Sequence, residues 1–111
     1  MSELERLARD WWVLHGVGGL LSRSHSDEEY EPFADVDDHV DAYGASPEEL
    51  ARMLVALVEA APNRDELPYL GTWILEDAEM EYSTDVRAAV ALTGLDQPTI
   101  DSILSGYIPR S

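Results

Sequence analysis

The sequence predicts an all-α fold: a compact single-domain bundle of five or six short helices with a long acidic loop after the first helix. Three observations lead to this prediction. Apolar residues recur three and four positions apart, helix-start and helix-stop residues bound these segments, and no segment alternates as a strand does. Because 45% of the 111 residues are hydrophobic, the chain suffices for one core, and we expect residues 1–111 to form one helical domain.

The first predicted helix covers residues 3–15. Its apolar stripe consists of Leu4, Leu7, Ala8, Trp11, Leu14 and His15, with Trp12 at the edge. Gly16, Gly18 and Gly19 follow, and they end or bend the helix because glycine weakens a helix interior and suits its C-terminal cap. The place of His15 on the stripe predicts a satisfied core or interface residue.

Residues 24–45 hold neither a helical nor a strand period, which predicts a long connection with room for a short helix within residues 33–43. Its acidic residues are Asp27, Glu28, Glu29, Glu31, Asp35, Asp37, Asp38 and Asp41. Tyr30, Phe33 and Tyr43 are set among them. Long connections in compact domains tend to be functional or mobile, so this segment is a candidate for interaction.

The second long helix has the clearest start. Ser46 and Glu49 have the spacing of a capping box, and Pro47 occupies the first helical position. The helix should end near Ala61 and lie in the core, since it is apolar on most sides. Two further helices are predicted after residue 82, one from residue 83 or 84 to residue 94 and one over residues 96–106.

The remaining predicted helix covers residues 67–81, with an apolar stripe of Leu70, Trp73, Ile74 and Met80. Asp77 falls at one of the stripe's positions, where an unpaired carboxylate is costly. We therefore expect this carboxylate to pair with an arginine, one of Arg52, Arg64 and Arg87. The alternative is a carboxylate with a raised pKa that acts in catalysis.

Charge excludes several classes of function. The chain has 23 acidic residues against seven basic ones, all of them arginine, and a formal net charge of −16. Such a surface repels nucleic acid and anionic lipid and attracts basic proteins. No segment approaches the ~20 apolar residues of a membrane span, and the N-terminus is acidic where a signal peptide is basic. We expect a cytoplasmic protein that contacts neither membrane nor nucleic acid directly.

Motifs for metal or nucleophilic chemistry are incomplete. Cysteine is absent, which excludes disulfides and thiolate ligands. Four residues are spaced as at the start of a calcium loop: Asp35, Asp37, His39 and Asp41. The sixth position of that loop is Val40 instead of glycine and the twelfth is Ser46 instead of glutamate. The sequence therefore predicts no metal, no cofactor and no enzymatic activity.

Two acidic clusters predict a protein-binding surface. The second cluster consists of Glu76, Asp77, Glu79, Glu81 and Asp85. Repulsion among so many carboxylates destabilises a fold, so we expect them to serve binding to a basic surface, with aromatic residues as anchors. The predicted partner-binding residues are Asp27, Glu28, Glu29, Tyr30, Glu31, Phe33, Asp35, Asp37, Asp38, Asp41, Tyr43, Glu76, Glu79 and Tyr82.

One segment carries a local resemblance. Residues 67–77 read Leu-Pro-Tyr-Leu-Gly-Thr-Trp-Ile-Leu-Glu-Asp and follow the Ala-Pro pair at residues 61 and 62. This element resembles that of small acidic all-helical bacterial proteins of unknown function, which carry Tyr-x-Gly-x-x-x-Leu-Glu-Asp after an Ala-Pro turn. In general build the chain is similar to immunity proteins of bacterial toxin systems. The resemblance implies a helical hairpin and supplies no catalytic residues.

The resulting hypothesis is a non-enzymatic acidic protein that neutralises a basic partner, as an immunity protein that inhibits a bacterial toxin such as a nuclease. One alternative is a phage-encoded nucleic-acid mimic that inhibits a DNA-binding protein. Another is a small hydrolase that uses Asp77 or the region of His39. A third is a structural homodimer joined through Trp11 and Trp12. Both a monomer and a homodimer are compatible with the sequence.

Overall fold

Every regular element of residues 2–108, the part of the chain that this computed structural model describes, is helical. The α-helices are α1 (Glu3–His15), α2 (Asp27–Tyr30), α3 (Val36–Ala42), α4 (Pro47–Ala60), α5 (Glu76–Tyr82), α6 (Val86–Leu92) and α7 (Gln97–Ser105). A π-helical segment, Leu70–Leu75, leads directly into α5. The predicted all-α bundle is confirmed, with α2 a single turn. None of these helices combines the length and apolarity that crossing a membrane requires.

Helix α4 forms the centre of the core and packs against α1 and α6. The Ser46 side chain caps it by accepting a hydrogen bond from the Glu49 amide, and Pro47 opens the first turn as predicted. Leu50, Leu54 and other apolar side chains of α4 are buried. Full burial of each such side chain contributes roughly 1.5–3 kcal/mol to stability.

Helix α1 contributes both of its tryptophans to the core. Trp11 and Trp12 are buried, and their rings meet edge to face with centroids 4.9 Å apart. The Trp12 indole Nε1–H donates a 2.8 Å hydrogen bond to the carbonyl of Leu57 in α4. The hypothesis of a homodimer joined through these two rings is therefore wrong, because their surface is already used within one protomer.

The acidic segment after α1 is helical rather than a long loop. The turn α2 begins at a complete capping box between Ser26 and Glu29. Helix α3 confirms the short helix expected within residues 33–43, and its Val36 and Val40 are buried in the core. The prediction of a long loop over residues 24–45 is wrong because elements of one or two turns are too short to show a period. Tertiary packing stabilises them instead.

The π-helical segment changes which side chains reach the core. The Glu76 amide donates to the Gly71 carbonyl five residues earlier, and residues four apart therefore share a face more nearly than residues three apart. Leu70, Ile74 and Ala78 are buried. Trp73 is 50% exposed and Met80 is 60% exposed, so the prediction that both belong to the apolar stripe is wrong.

Helix α7 holds the π-helical segment in place through a close backbone contact. A Cβ atom on Gly71 would overlap the Ile103 carbonyl, and one on Gly106 would overlap the Pro68 carbonyl. The Thr72 hydroxyl donates a 2.7 Å hydrogen bond to the carbonyl of Gly106. Glycine is needed at both positions because only a residue without a side chain allows this approach.

Candidate functional site

Tertiary structure brings the end of the first acidic cluster, in α3, beside the second cluster, in α5. The Thr84 hydroxyl donates to the Gly44 carbonyl, which joins the turn after α5 to the turn after α3. As a result, Asp41 of α3 lies beside Asp77 and Glu81 of α5. We call this surface the acidic face and define it by Asp37, Asp38, Asp41, Glu76, Asp77 and Glu81.

The carboxylates of the acidic face perturb one another. Partial burial raises the pKa of Asp41 to about 6, and repulsion from Glu81, Asp77, Asp37 and Asp38 acts in the same direction. Partial burial also raises the pKa of Asp77, with repulsion from Glu81 and Glu76 as the next causes. Ionising either carboxyl group therefore costs more free energy than ionising an isolated one. A cation in contact with the two groups would lower that cost.

His15 lies at the inner edge of the acidic face. Its Nε2 atom is 2.6 Å from Asp37 Oδ1, and its ring lies 4.7 Å from the Trp11 ring and 6.1 Å from the Trp73 ring, measured between centroids. His15 is mostly buried, so it is a satisfied residue of the interior edge. Its imidazole also lowers the pKa of Asp77, although burial and carboxylate repulsion outweigh it.

These groups line a small crevice of about 180 Å³, which we call the acidic crevice. Aromatic and acidic side chains face each other across it, since its lining consists of Trp11, His15, Asp37, Asp41, Trp73, Ile74 and Asp77. An aromatic wall with several carboxylates suits an organic cation, through ring–cation attraction and charged hydrogen bonds.

A second depression adjoins the acidic crevice and shares His15 and Trp73 with it. This apolar groove has a volume of about 600 Å³ and is lined by Leu14, His15, Gly16, Val17, Gly18, Leu21, Ser22, Tyr69 and Trp73. Tyr69, Trp73 and Asp77 follow one another at intervals of four along the π-helical segment and α5. This row of side chains runs from the groove into the crevice.

The buried carboxylate of Glu66 supports one wall of the apolar groove. Its Oε1 atom accepts a 2.6 Å hydrogen bond from the Val17 amide, and its Oε2 atom accepts a 2.7 Å hydrogen bond from the Asn63 side chain. Sequence reasoning missed this residue, because nothing in its neighbourhood distinguishes Glu66 from an exposed glutamate of a turn.

The prediction that Asp77 pairs with one of these arginines is wrong for the described part of the chain. Arg52 pairs with Glu49 at 3.0 Å. Arg64 donates to the Thr99 hydroxyl at 2.8 Å. Arg87 lies over the Tyr107 ring, 6.0 Å from its centroid. None of these arginines reaches Asp77, which instead lines the acidic crevice.

The predicted partner-binding residues separate into two groups of carboxylates. Asp37, Asp38, Asp41 and Glu76 belong to the acidic face. The turn around α2 carries exposed carboxylates of its own, and these are Asp27, Glu28, Glu29, Glu31 and Asp35. Glu79 is engaged elsewhere, since it accepts a 2.5 Å hydrogen bond from the Tyr107 hydroxyl.

The predicted aromatic anchors differ in how much surface they offer. Tyr30, Phe33 and Tyr43 are partly buried and pack against the core, which uses part of the surface expected for a partner. Tyr82 is exposed. Two other exposed aromatic residues are Trp73, which lines the acidic crevice, and Tyr69, which lines the adjoining apolar groove. The helical period predicts a core position for Trp73, and that prediction is wrong.

Metal chemistry finds no support in residues 2–108, where no group of three or more His, Asp or Glu side chains is placed to hold an ion. The residues spaced like a calcium loop are wound into α3, with Asp35 at its N-cap. What the crevice does offer is proton transfer, through His15, Asp37 and two carboxyl groups with raised pKa values.

Comparisons of the chain with protein-family models, with curated proteins and with solved structures give no match. The interpretation of the site therefore rests on its geometry and charge.

Proposed function

We propose that this protein binds and neutralises a basic protein partner through the acidic face, as an immunity protein does with its toxin. One observation carries the proposal: carboxylates from α3 and α5, separated by more than thirty residues in the chain, converge on one surface, where partial burial and then their mutual repulsion raise the pKa of Asp41. Because ionising these carboxylates costs free energy, a cationic partner that covers them is stabilising.

The distribution of arginine supports the same proposal. Two arginine–carboxylate ion pairs of the described residues are Arg23–Glu29 at 3.3 Å and Arg52–Glu49 at 3.0 Å. Both lie outside the acidic face. These two pairs neutralise no carboxylate of the acidic face. The chain has a net charge of −16, and its negative electrostatic potential accelerates association with a basic partner at low ionic strength.

The proposal is tested with a labelled oligoarginine peptide as the cationic probe. We expect the combined substitution Asp37→Asn, Asp41→Asn and Asp77→Asn to weaken binding about tenfold, which corresponds to about 1.4 kcal/mol. The matched control removes the same charge from the α2 turn, through Asp27→Asn, Glu28→Gln and Glu31→Gln, and should weaken binding about twofold at most. Fluorescence anisotropy gives both dissociation constants.

Equal losses in the two variants would mean that the charge acts diffusely, and would contradict a dedicated acidic face. An affinity that does not fall with ionic strength would also contradict the proposal, since exposed charges are screened within ~10 Å at 0.1 M salt. Circular dichroism and thermal unfolding show whether each variant is folded.

A nucleic-acid mimic would use the same charge, and breadth of inhibition separates the two functions. A mimic inhibits several unrelated DNA-binding proteins, whereas an immunity protein inhibits one. The apolar groove beside the acidic crevice favours the immunity function, because apolar contacts select a particular protein surface while charge alone does not.

An acid–base enzyme is a second candidate, favoured by the 2.6 Å contact between His15 and Asp37 beside Asp77. If the crevice is catalytic, the purified protein should hydrolyse a member of a panel of chromogenic esters and phosphoesters. His15→Gln and Asp77→Asn should each abolish that activity without unfolding the chain. Activity that survives both substitutions would remove this candidate.

A further inference from the structure

We propose that the apolar groove receives large apolar side chains of the same partner segment whose arginine side chains enter the acidic crevice. The occupant is thus an amphipathic basic segment, with leucine-like or aromatic residues beside arginine. This inference rests on the proposed function and adds the kind of sequence that the partner presents.

The lining of the groove is unusually exposed for apolar side chains. Val17 is 73% exposed, Leu21 is 47% exposed, and Trp73 and Tyr69 complete the same surface. Scattered exposed apolar residues need no explanation, but a contiguous set around a depression of about 600 Å³ marks an interaction surface.

The groove is also held in one shape before any partner binds. The Val17 amide donates a 2.6 Å hydrogen bond to the Glu66 carboxylate, and the Gly19 amide donates a 2.8 Å hydrogen bond to the Gly16 carbonyl. On the opposite wall, Tyr69 and Trp73 belong to the helical segment that Gly71 anchors against α7. A preformed groove loses little conformational entropy on binding, which favours affinity.

Charge decides which apolar partner fits. The groove ends at His15 and Trp73, where the acidic crevice begins. A wholly apolar occupant would desolvate Asp37, Asp41 and Asp77 without pairing them, at a cost in free energy. An arginine beside the apolar residues instead meets the carboxylates and lies near the Trp73 ring.

The same argument disfavours two other occupants. A second copy of the chain carries the same net charge of −16 and would bring carboxylates toward carboxylates. An anionic lipid surface is repelled in the same way. A basic amphipathic protein segment is the occupant that satisfies both the groove and the crevice.

A separate apolar depression supplies the control surface. It has a volume of about 510 Å³ and lies between α1, α4 and α6, where Leu92 is 57% exposed. Glu48 and Arg52 line its edge, so its charges are balanced. Substitutions at Leu92 change an exposed leucine of this control surface without touching the groove or the crevice.

The experiment uses two labelled peptides, one of Leu-Arg-Arg-Leu repeats and one with serine in place of every leucine. We expect the leucine peptide to bind the wild-type chain about tenfold more tightly than the serine peptide. Leu21→Asp should remove about tenfold of the affinity for the leucine peptide, and Leu92→Asp should change it by about twofold at most. Both substitutions add one negative charge, which by itself strengthens binding of any basic peptide, so a loss at Leu21 cannot come from charge.

Equal affinities for the two peptides, or equal effects of Leu21→Asp and Leu92→Asp, would overturn this inference. The proposed function would survive that result if the substitutions in the acidic face still weakened both peptides. Binding of the leucine peptide that persists after the substitutions at Asp37, Asp41 and Asp77 would overturn both proposals. Val17→Asp is the second groove variant, and it should reproduce the effect of Leu21→Asp.

Discussion

The acidic face and the α2 turn contain the same kind of residue in opposite environments. At the α2 turn, Glu29 accepts a hydrogen bond from the Ser26 amide and lies 3.3 Å from Arg23, and these contacts lower its pKa. At the acidic face, Asp41 is partly buried among other carboxylates, and its pKa rises to about 6. Glu29 thus stabilises the fold locally, whereas the carboxylates around Asp41 repel one another.

The largest effect we expect comes from disturbing the support of the acidic face. A methyl group on Gly71 would overlap the Ile103 carbonyl, so Gly71→Ala should lower the free energy of unfolding by about 3 kcal/mol or more. Gly94→Ala is the control, because Gly94 has a positive φ of 69° and open space around it. That control should cost about 1 kcal/mol, because a residue with a Cβ is strained at a positive φ. Urea unfolding measures both, and similar losses would contradict the close approach to α7.

Glu66 provides a third carboxylate environment, 3% exposed and with two hydrogen-bond donors. Glu66→Ala should lower the free energy of unfolding by about 2 kcal/mol, because it leaves the Val17 amide without its acceptor. Asp65→Ala alters an exposed neighbour and should change the unfolding free energy by less than about 0.5 kcal/mol. If Glu66→Ala costs no more than this control, Glu66 does not support the groove wall.

The pH dependence of stability distinguishes the face from the turn directly. The folded pKa of Asp41 is above its usual value of 3.8, so the folded state binds more protons and this group's contribution falls as pH rises from about 4 to about 6. The full shift corresponds to about 3 kcal/mol, which solvent screening of this partly exposed side chain reduces to about 1 kcal/mol. Asp41→Asn should therefore stabilise the protein at neutral pH.

Glu29→Gln is the comparison at the turn and should act in the opposite direction. The folded pKa of Glu29 is lowered, so its contribution to stability is present at neutral pH and is lost as pH falls through the acid range. Urea unfolding at neutral pH should show a gain for Asp41→Asn and a loss for Glu29→Gln. The same sign for both variants would contradict the contrast between face and turn.

Ionic strength should produce the smallest effect. Added salt screens the repulsion within the acidic face, so the wild-type chain should gain about 0.5 kcal/mol of stability between low and moderate salt at neutral pH. The gain should be smaller in a double variant, Asp41→Asn with Asp77→Asn. Removing the same number of charges at Glu28 and Glu31 should leave the gain unchanged. A gain that does not depend on where the charges are removed would argue for diffuse repulsion.

Helices with clear boundaries were predictable from the sequence. Ser46 and Pro47 start α4 and Gly106 ends α7 as predicted, because capping depends on residues next to one another in the chain. The turn α2 was predictable in principle, since Ser26 and Glu29 form a complete capping box at the same spacing as Ser46 and Glu49, where only the Ser46 side chain caps the helix. It was missed because an element of one turn has no apolar period.

The candidate site was only half predictable. Asp37, Asp41 and Asp77 are recognisable as candidate residues in the sequence, but the helical period predicts an arginine partner for Asp77 and a core position for Trp73. The π-helical segment Leu70–Leu75 explains the error at Trp73, because hydrogen bonds that span five residues rotate side chains away from their α-helical positions. The groove was not predictable, since its walls come from residues 14–22 and 69–73, far apart in the chain.

By itself the sequence determined the helical class, the central α4 and the sign of the charge, since these follow from periodicity, capping and composition within short segments. Tertiary structure alone decided where the charge gathers. Asp41 and Asp77 meet because the turns after α3 and α5 are joined at Gly44 and Thr84. Electrostatic repulsion depends on the distance between two charges in space. The order of residues along the chain does not give that distance for residues far apart in sequence, and only the folded structure sets it.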